Sequence, residues 1–274
     1  MGKLLEALDP ELTEWIQKQK MFWVATAPLS GEGHVNLSPK GIEGTFHIES
    51  SKRCWYEDLS GSGVETIAHL RENGRITIMF QAFSGAARIV RVYGIGTVHE
   101  FGTPEFERLL PTDKRHISAR SAIVIDIHRV STVRWACGWG VPKYIYQEDR
   151  TTAFDFFRKY EAGDQKLATD PSSASEGQEK QTMKYWWTYW NLKSIDGLPG
   201  ILSAHKSDKV PGTTRPHRFR GPKNWTDEAQ LEAVDIEQPK RFGLLRREAG
   251  FIVGIAVGVV LTLGSGQLAN LVSH

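Results

Sequence analysis

Between Met21 and Val133 the sequence breaks into short apolar runs of strand length separated by turn residues, a rhythm that a helical bundle does not produce. "MFWVATA" gives way to the turn-rich "PLSGEGH" and then to "VNLSPKG", a hairpin pattern with a long loop; "GTFHIES" and "RCWYEDL" follow as two further strands. "RITIMFQAF" and "ARIVRVYGIGTVHEF" are split by Ser84-Gly85, and "SAIVIDIHRVSTVRWACGW" supplies one or two strands more. Two helices interrupt the series. "VETIAHLREN" puts Ile67 and Leu70 on one face and closes at Asn73-Gly74, while "TPEFERLLP" starts after Thr103 with Pro104 inside its first turn. Six to eight strands with one or two helices in about 120 residues favour a small closed or partly open antiparallel barrel.

The flanks differ from this core. Residues 1–20 carry Leu4, Leu5, Leu8, Leu12, Trp15 and Ile16 at helical spacing, with Asp9-Pro10 as an internal start signal. The barrel is expected over 21–161. Within 162–202, "AGDQKLATDPSSASEGQEKQ" has almost no large apolar side chain and reads as an insertion loop, followed by the aromatic "TMKYWWTYWNLKSIDGLPGI", a helix docking on the barrel. Residues 203–245 read as a polar linker. The last segment, 246–272, is apolar from Phe251 to Gly264, with Arg241, Arg246 and Arg247 upstream and Gly250, Gly254 and Gly258 at four-residue spacing. That arrangement favours a single-pass transmembrane tail anchor with the globular part in the cytosol; a buried or interfacial helix is the other reading.

Charge selects no partner, because 34 basic and 32 acidic residues leave +2 overall. No nucleic-acid module signature appears. Cys54 and Cys137 are too few for a disulfide framework, and the histidines show no ligand spacing, so no metal is expected. Ser38 and Ser62 lack the His and Asp arrangement of a hydrolase. Glu100 and Asp126 read as strand-edge or surface charges.

The loop "SGSGVETIAHL" carries the chemistry. Gly61 and Gly63 around Ser62 relax the backbone ahead of a helix whose first amides are unpaired, which is the recipe for holding a phosphate. It matches neither standard nucleotide fingerprint: no Gly-Lys-Ser/Thr follows, and Thr66 stands where a third glycine would. Ser38 and Lys40 in "SPKG" lie at a strand end beside Gly41. Arg88 and Arg91 begin a later strand, where their spacing sends them to opposite faces unless a bulge intervenes.

"FWVATAPLSGEGHVNLSPKG", "GSGVETIAHLRENGRITIMFQAF", "ARIVRVYGIGTV", "CGWGVP" and "SIDGLPG", in this order over about residues 20–201, resemble the pyridoxamine 5'-phosphate oxidase-like flavin-binding proteins. The resemblance implies a mainly β fold, a six-stranded antiparallel split β-barrel with flanking helices, usually homodimeric, binding flavin mononucleotide (FMN) at the subunit interface. A deazaflavin is the other cofactor it allows. Carried over by position, it nominates Asn36, Ser38 and Lys40 along the ring, Ser62, Gly63 and Thr66 at the phosphate, and Arg88 and Arg91 to complete the site. It names no catalytic side chain. The sequence departs from the vitamin oxidases themselves: it lacks their Arg-x-Val-x-x-Lys strand, a basic residue at Thr66, and their C-terminal Arg- and Trp-bearing substrate segment. The implied activity is a flavin-dependent oxidoreductase acting on another small molecule, or a flavin-binding carrier, sensor or scaffold.

Overall fold

The computed structural model describes residues 2–133, 136–173 and 177–216. Eight strands form one antiparallel sheet: β1 (Lys3–Leu5), β2 (Met21–Thr26), β3 (Asn36–Gly41), β4 (Phe46–Ser50), β5 (Arg53–Leu59), β6 (Arg75–Gln81), β7 (Ile89–Glu100) and β8 (Ala119–Val133). Their spatial order is β3-β2-β6-β7-β8-β5-β4, and β1 pairs with β8 beyond the end of β5. Among the described residues the sheet therefore has two more strands than the six that the family resemblance implies. One of them, β1, lies in the stretch read as helix: Leu4 and Leu5 fit helical spacing, but Lys3 pairs with Thr132 and the helix α1 (Pro10–Gln17) starts only where Asp9 accepts the Leu12 amide at 2.7 Å.

Alternation along the strands decides which side is inside. Phe22, Val24 and Thr26 of β2 are buried while Met21, Trp23 and Ala25 are half-covered, and β6 repeats the pattern with Ile76, Ile78 and Phe80. The sheet curls on this inner face. Phe46 of β4 lies 5.0 Å from both Phe22 and Phe80, and Tyr56 of β5 lies 5.4 Å from Phe22, so ring contacts join β4 and β5 at one end of the sheet to β2 and β6 near the other, strands that share no hydrogen-bonded ladder. This is a half-barrel, consistent with a split barrel. Truncating Phe80 to Ala at its centre costs about 3–5 kcal/mol.

A bulge between Tyr93 and Gly94 lets β7 follow the curl, and a Cβ on Gly94 would stand 2.5 Å from the Asp126 carbonyl oxygen. Helix α2 (Glu65–Asn73) closes one end. It stops at Gly74 in the left-handed conformation, φ +70°, as Asn73-Gly74 predicts, and Leu70 fills the space over Gly96 that a side chain there would need. Helix α3 (Pro104–Leu109) is capped by Thr103.

Two flanking segments differ from expectation. Helix α4 (Thr152–Thr169) runs well into the stretch read as an insertion loop, because Glu161 and Asp164 turn inward and accept the backbone amides of Ser118 (2.8 Å) and Met183 (2.6 Å). Helix α5 (Met183–Trp190) is the aromatic helix, with Trp186 and Trp187 buried. Residues 202–216, where the polar linker was expected to begin, are tied to the body. Glu100, expected at the surface, is buried there, accepting the amides of Leu202, Ser203 and Ala204 and pairing with Arg71. Arg215 then reaches the Lys114 carbonyl at 2.9 Å. Among the described residues no helix is long and apolar enough to cross a membrane, and the expected anchor at 246–272 lies outside them.

Candidate functional site

The curl brings the end of β5, the inner face of β3 and the start of α2 together. Asp58, fully buried at the end of β5, accepts from Lys40 Nζ at 3.0 Å, from Arg120 Nε at 2.7 Å and from Ser121 Oγ at 3.2 Å. Burial by itself would raise this carboxyl, but the charges of Arg120 and Lys40 outweigh it and hold Asp58 down at about 2. Arg120 Nη1 goes on to the Gly63 carbonyl at 2.8 Å, so the cluster is fastened to the glycine loop.

That loop is turned with its carbonyls inward. Gly61 O accepts from Trp186 Nε1 (3.1 Å) and Asn191 Nδ2 (2.9 Å), and Gly63 O from Arg120. Ser60 is pinned by Ser118 and Trp187. Helix α2 has Val64 at its N-cap, a residue with no oxygen to offer the helix. Its first internal bond is Ala68 N to Val64 O, and the amides from Gly61 through Ile67 have no hydrogen-bond partner among the described residues. Seven successive unpaired donors at the positive end of a helix, beside Lys40 and Arg120, form an anion cradle.

A second network lies alongside. Asn36 Nδ2 donates to Thr26 Oγ1 (3.1 Å) and Thr66 Oγ1 (3.0 Å), and Ser38 Oγ donates to Asn36 Oδ1 (2.7 Å). Both Asn36 donors are thereby used, and the residue positions β3 against α2 more than it offers itself to a ligand. Thr26 Oγ1 lies 2.9 Å from His69 Nδ1. His69 Nε2 is buried and has no hydrogen-bond partner among the described residues. Burial lowers the His69 pKa and keeps the ring neutral. The phenol of Tyr56 is also fully buried, beside Thr66, and burial followed by the Asp58 charge pushes it well above its ordinary value.

Of the residues nominated from sequence, Asn36, Ser38, Lys40, Gly63 and Thr66 are thus brought together, and Ser62 is exposed at the loop tip. Arg88 and Arg91 are not. Arg88, just before β7, pairs with Glu11 at 2.7 Å and lies over the Trp15 ring, lining a cavity of about 300 Å³ with Phe83, Trp139 and Lys143. Arg91 alternates with the buried Val90 and Val92 and so faces the other side of the sheet. Sequence reasoning missed Arg120, Asp58, Thr26 and His69. Arg120 was the most legible of these, a cation inside the apolar run "SARSAIVI" that could be buried only with a partner.

The fold is a curled antiparallel half-barrel with unpaired backbone donors at the start of α2. A family model described as pyridoxamine 5'-phosphate oxidase matches residues 8–134. The pyridoxamine 5'-phosphate oxidase family protein ustO of Aspergillus flavus is 37% identical over 205 residues, covering 73% of this chain and 78% of the relative. The chain belongs to the pyridoxamine 5'-phosphate oxidase family. Among solved structures, the chain is similar to HupZ of Group A Streptococcus, with 20% identity and TM-score 0.39 over 46% of this chain and 94% of that one. It is also similar to an FMN-binding protein of Syntrophomonas wolfei, with 15% identity and TM-score 0.33 over 44% and 81%.

Proposed function

We propose that this protein is a flavin-dependent oxidoreductase acting on a small molecule. The flavin phosphate sits in the amide cradle from Gly61 to Ile67, with FMN as the simplest such ligand, and the ring lies along Ser38 and Lys40 of β3. The observation that carries this reading is the set of seven unpartnered amides beside Lys40 and Arg120. The donor set suits an oxyanion, and such a flavin would supply the hydride chemistry. The chain's own part is to hold the phosphate, exclude water with the buried Thr66 and Tyr56, and present the Lys40 ammonium where negative charge develops.

The same reading includes a homodimer. Exposed apolar side chains on the sheet support it, Leu4 of β1, Leu37 of β3 and Ile95 of β7 at 58%, 63% and 49%, which a second copy would cover. It also includes attachment to a membrane through 246–272, on the apolar run and upstream arginines alone. The full chain purified in detergent should show a flavin absorbance spectrum, or acquire one on reconstitution, and a nicotinamide donor should bleach it. A protein that binds no flavin refutes the reading, whereas one that binds flavin but is reduced by no donor is a carrier, sensor or scaffold.

A further inference from the structure

We infer that α4 is a proton-responsive brace for the glycine loop: Glu161 and Asp164 are positioning residues that hold both supports of the loop while protonated and release them when they lose their protons. How the loop is held stands apart from any ligand; the effect on a bound ligand rests on the flavin reading above.

Two supports meet at the loop. From one side, Ser118 offers its carbonyl to both the amide and the hydroxyl of Ser60, at 2.8 and 2.7 Å. It does so in the left-handed conformation, φ +67°, which a residue with a side chain keeps only where its surroundings fix it. The Ser118 amide is fixed by Glu161, whose Oε1 accepts it at 2.8 Å. From the other side, α5 sends Trp187 Nε1 to Ser60 Oγ, and Trp186 Nε1 and Asn191 Nδ2 to Gly61 O. The start of α5 is fixed by Asp164, whose Oδ2 accepts the Met183 amide at 2.6 Å. Supports that lie far apart in the sequence thus end on two carboxyls three residues apart on one helix face. Gly163 between them is pressed against the approach to α5, where a Cβ would collide with the Gln181 carbonyl oxygen.

Both acids are 7% exposed, and among the described residues no cation is bonded to either. Arg115 acts on Glu161 from the segment between α3 and β8, but its hydrogen bonds go to Glu107 and Thr112. Lys184 acts on Asp164 from α5, but its ammonium binds the Ser207 carbonyl. Glu57 of β5 adds a negative charge near Glu161 and is itself bound to His116. Burial therefore raises Glu161 to about 7 and Asp164 to about 6, close to neutral pH. Below those values each acid is neutral and still accepts its amide through a carbonyl oxygen. Above them two like charges lie buried without a bonded counterion, and relief comes from turning α4 toward water, which frees the Ser118 and Met183 amides. An open form in which the acids regain their ordinary values gains on the braced form as pH rises, and the loop loses both supports.

Hydrogen exchange of the full-length protein in detergent, without ligand and corrected for the intrinsic effect of pH, tests the brace. The amides of Ser60, Ser118 and Met183 should exchange through a local opening, faster than the β6–β7 ladder. That opening should become about tenfold more frequent from pH 6 to pH 8, the change produced by a carboxyl that is near 7 when buried and ordinary when exposed. Glu161→Gln keeps an acceptor for Ser118 and should remove most of the rise. If that variant does not fold, Asp164→Asn is read at Met183 between pH 5 and pH 7, where the corresponding rise should disappear. Exchange of these amides only together with the ladder, or a rise that survives in the variant, would overturn the inference. FMN titration of the same proteins reads the effect on the site: the affinity of the native protein relative to Glu161→Gln should fall at least about threefold from pH 6 to pH 8, as the competent fraction shrinks. The phosphate's own ionisation is common to both. A constant ratio would overturn the link from brace to ligand. A protein that binds no FMN would remove the flavin reading, and exchange would still decide the brace.

Discussion

Two buried carboxylate regions of this molecule meet opposite fates. At the seam of the half-barrel, Asp58 is fully buried and still held at about 2, because Arg120 and Lys40 are bound to it. On α4, Glu161 and Asp164 are buried almost as completely but have only backbone amides as direct partners, and burial pushes them up to about 7 and about 6. Burial acts in the same direction in both places. Depth alone does not decide whether a buried acid stays charged: between these two regions the difference is the bound cations, and the charged acid is the one beside the glycine loop.

The sharpest way to break this contrast is to remove the charge at the seam. Asp58→Ala leaves Lys40 and Arg120 without their common partner, and loss of one side of a buried ion pair costs about 3–5 kcal/mol. Chemical denaturation should show that loss. A change under about 1 kcal/mol would mean that the two cations find other partners and that Asp58 is not what holds the seam.

On α4 the effect is a pH dependence of the reverse sign to that of an ordinary paired acid. Glu161 goes from 4.5 in the unfolded chain to about 7 in the folded one, so between these values the unfolded chain has released a proton that the native protein keeps. Stability therefore falls as pH rises through that window and levels off above it, by about 3 kcal/mol at 1.36 kcal/mol per pH unit. Asp164 acts likewise from 3.8 to about 6, and since Asp164 also raises Glu161 their contributions do not simply add. Denaturation at pH 5 and pH 8 should show the fall, and Glu161→Gln should flatten it. A protein equally stable at both pH values would mean that these acids are ionised throughout.

A third buried acid lies between these extremes. Glu100 is 2% exposed, and although burial would raise it, the amides of Leu202, Ala204 and Ser203 bring it below its usual value. Glu100→Gln keeps the shape but weakens charge-assisted bonds to three amides and Arg71, a loss of about 1.5–3 kcal/mol. Limited proteolysis should then cut first between residues 202 and 216. Uniform resistance there would show that the strap is held by other contacts.

Which of this was legible in the sequence follows from the range of each interaction. Asn73-Gly74, Asp9-Pro10 and Thr103-Pro104 act within a few residues, and each marks a helix end or start in the structure. The alternation in "MFWVAT" and "RITIMFQ" gave the inner face directly. β1 was read as helix because three residues carry too little pattern to outweigh a helical leucine spacing. Polar Ala162 to Thr169 looked like a loop because its partners, Met183 and the strap, are far along the chain. In the site, Lys40 and Thr66 were found, but Asp58 and Arg120 were not: 62 residues separate them, and only the β5–β8 register brings them together.

The smallest effect sharpens the same contrast from the solvent side. Arg88 pairs with Glu11, whose side chain is 61% exposed, and lies 5.4 Å from the Trp15 ring. The Arg88 side chain is 13% exposed but water solvates its carboxylate partner, so Arg88→Ala should cost only about 1 kcal/mol, the sum of a weak ion pair and a cation–π contact. Flavin affinity should not change, because the cations that reach the cradle are Lys40 and Arg120. A loss of affinity in Arg88→Ala with stability intact would show that Arg88 reaches a cradle other than its own, across a dimer. The charge around Gly63 would then include the partner's arginine.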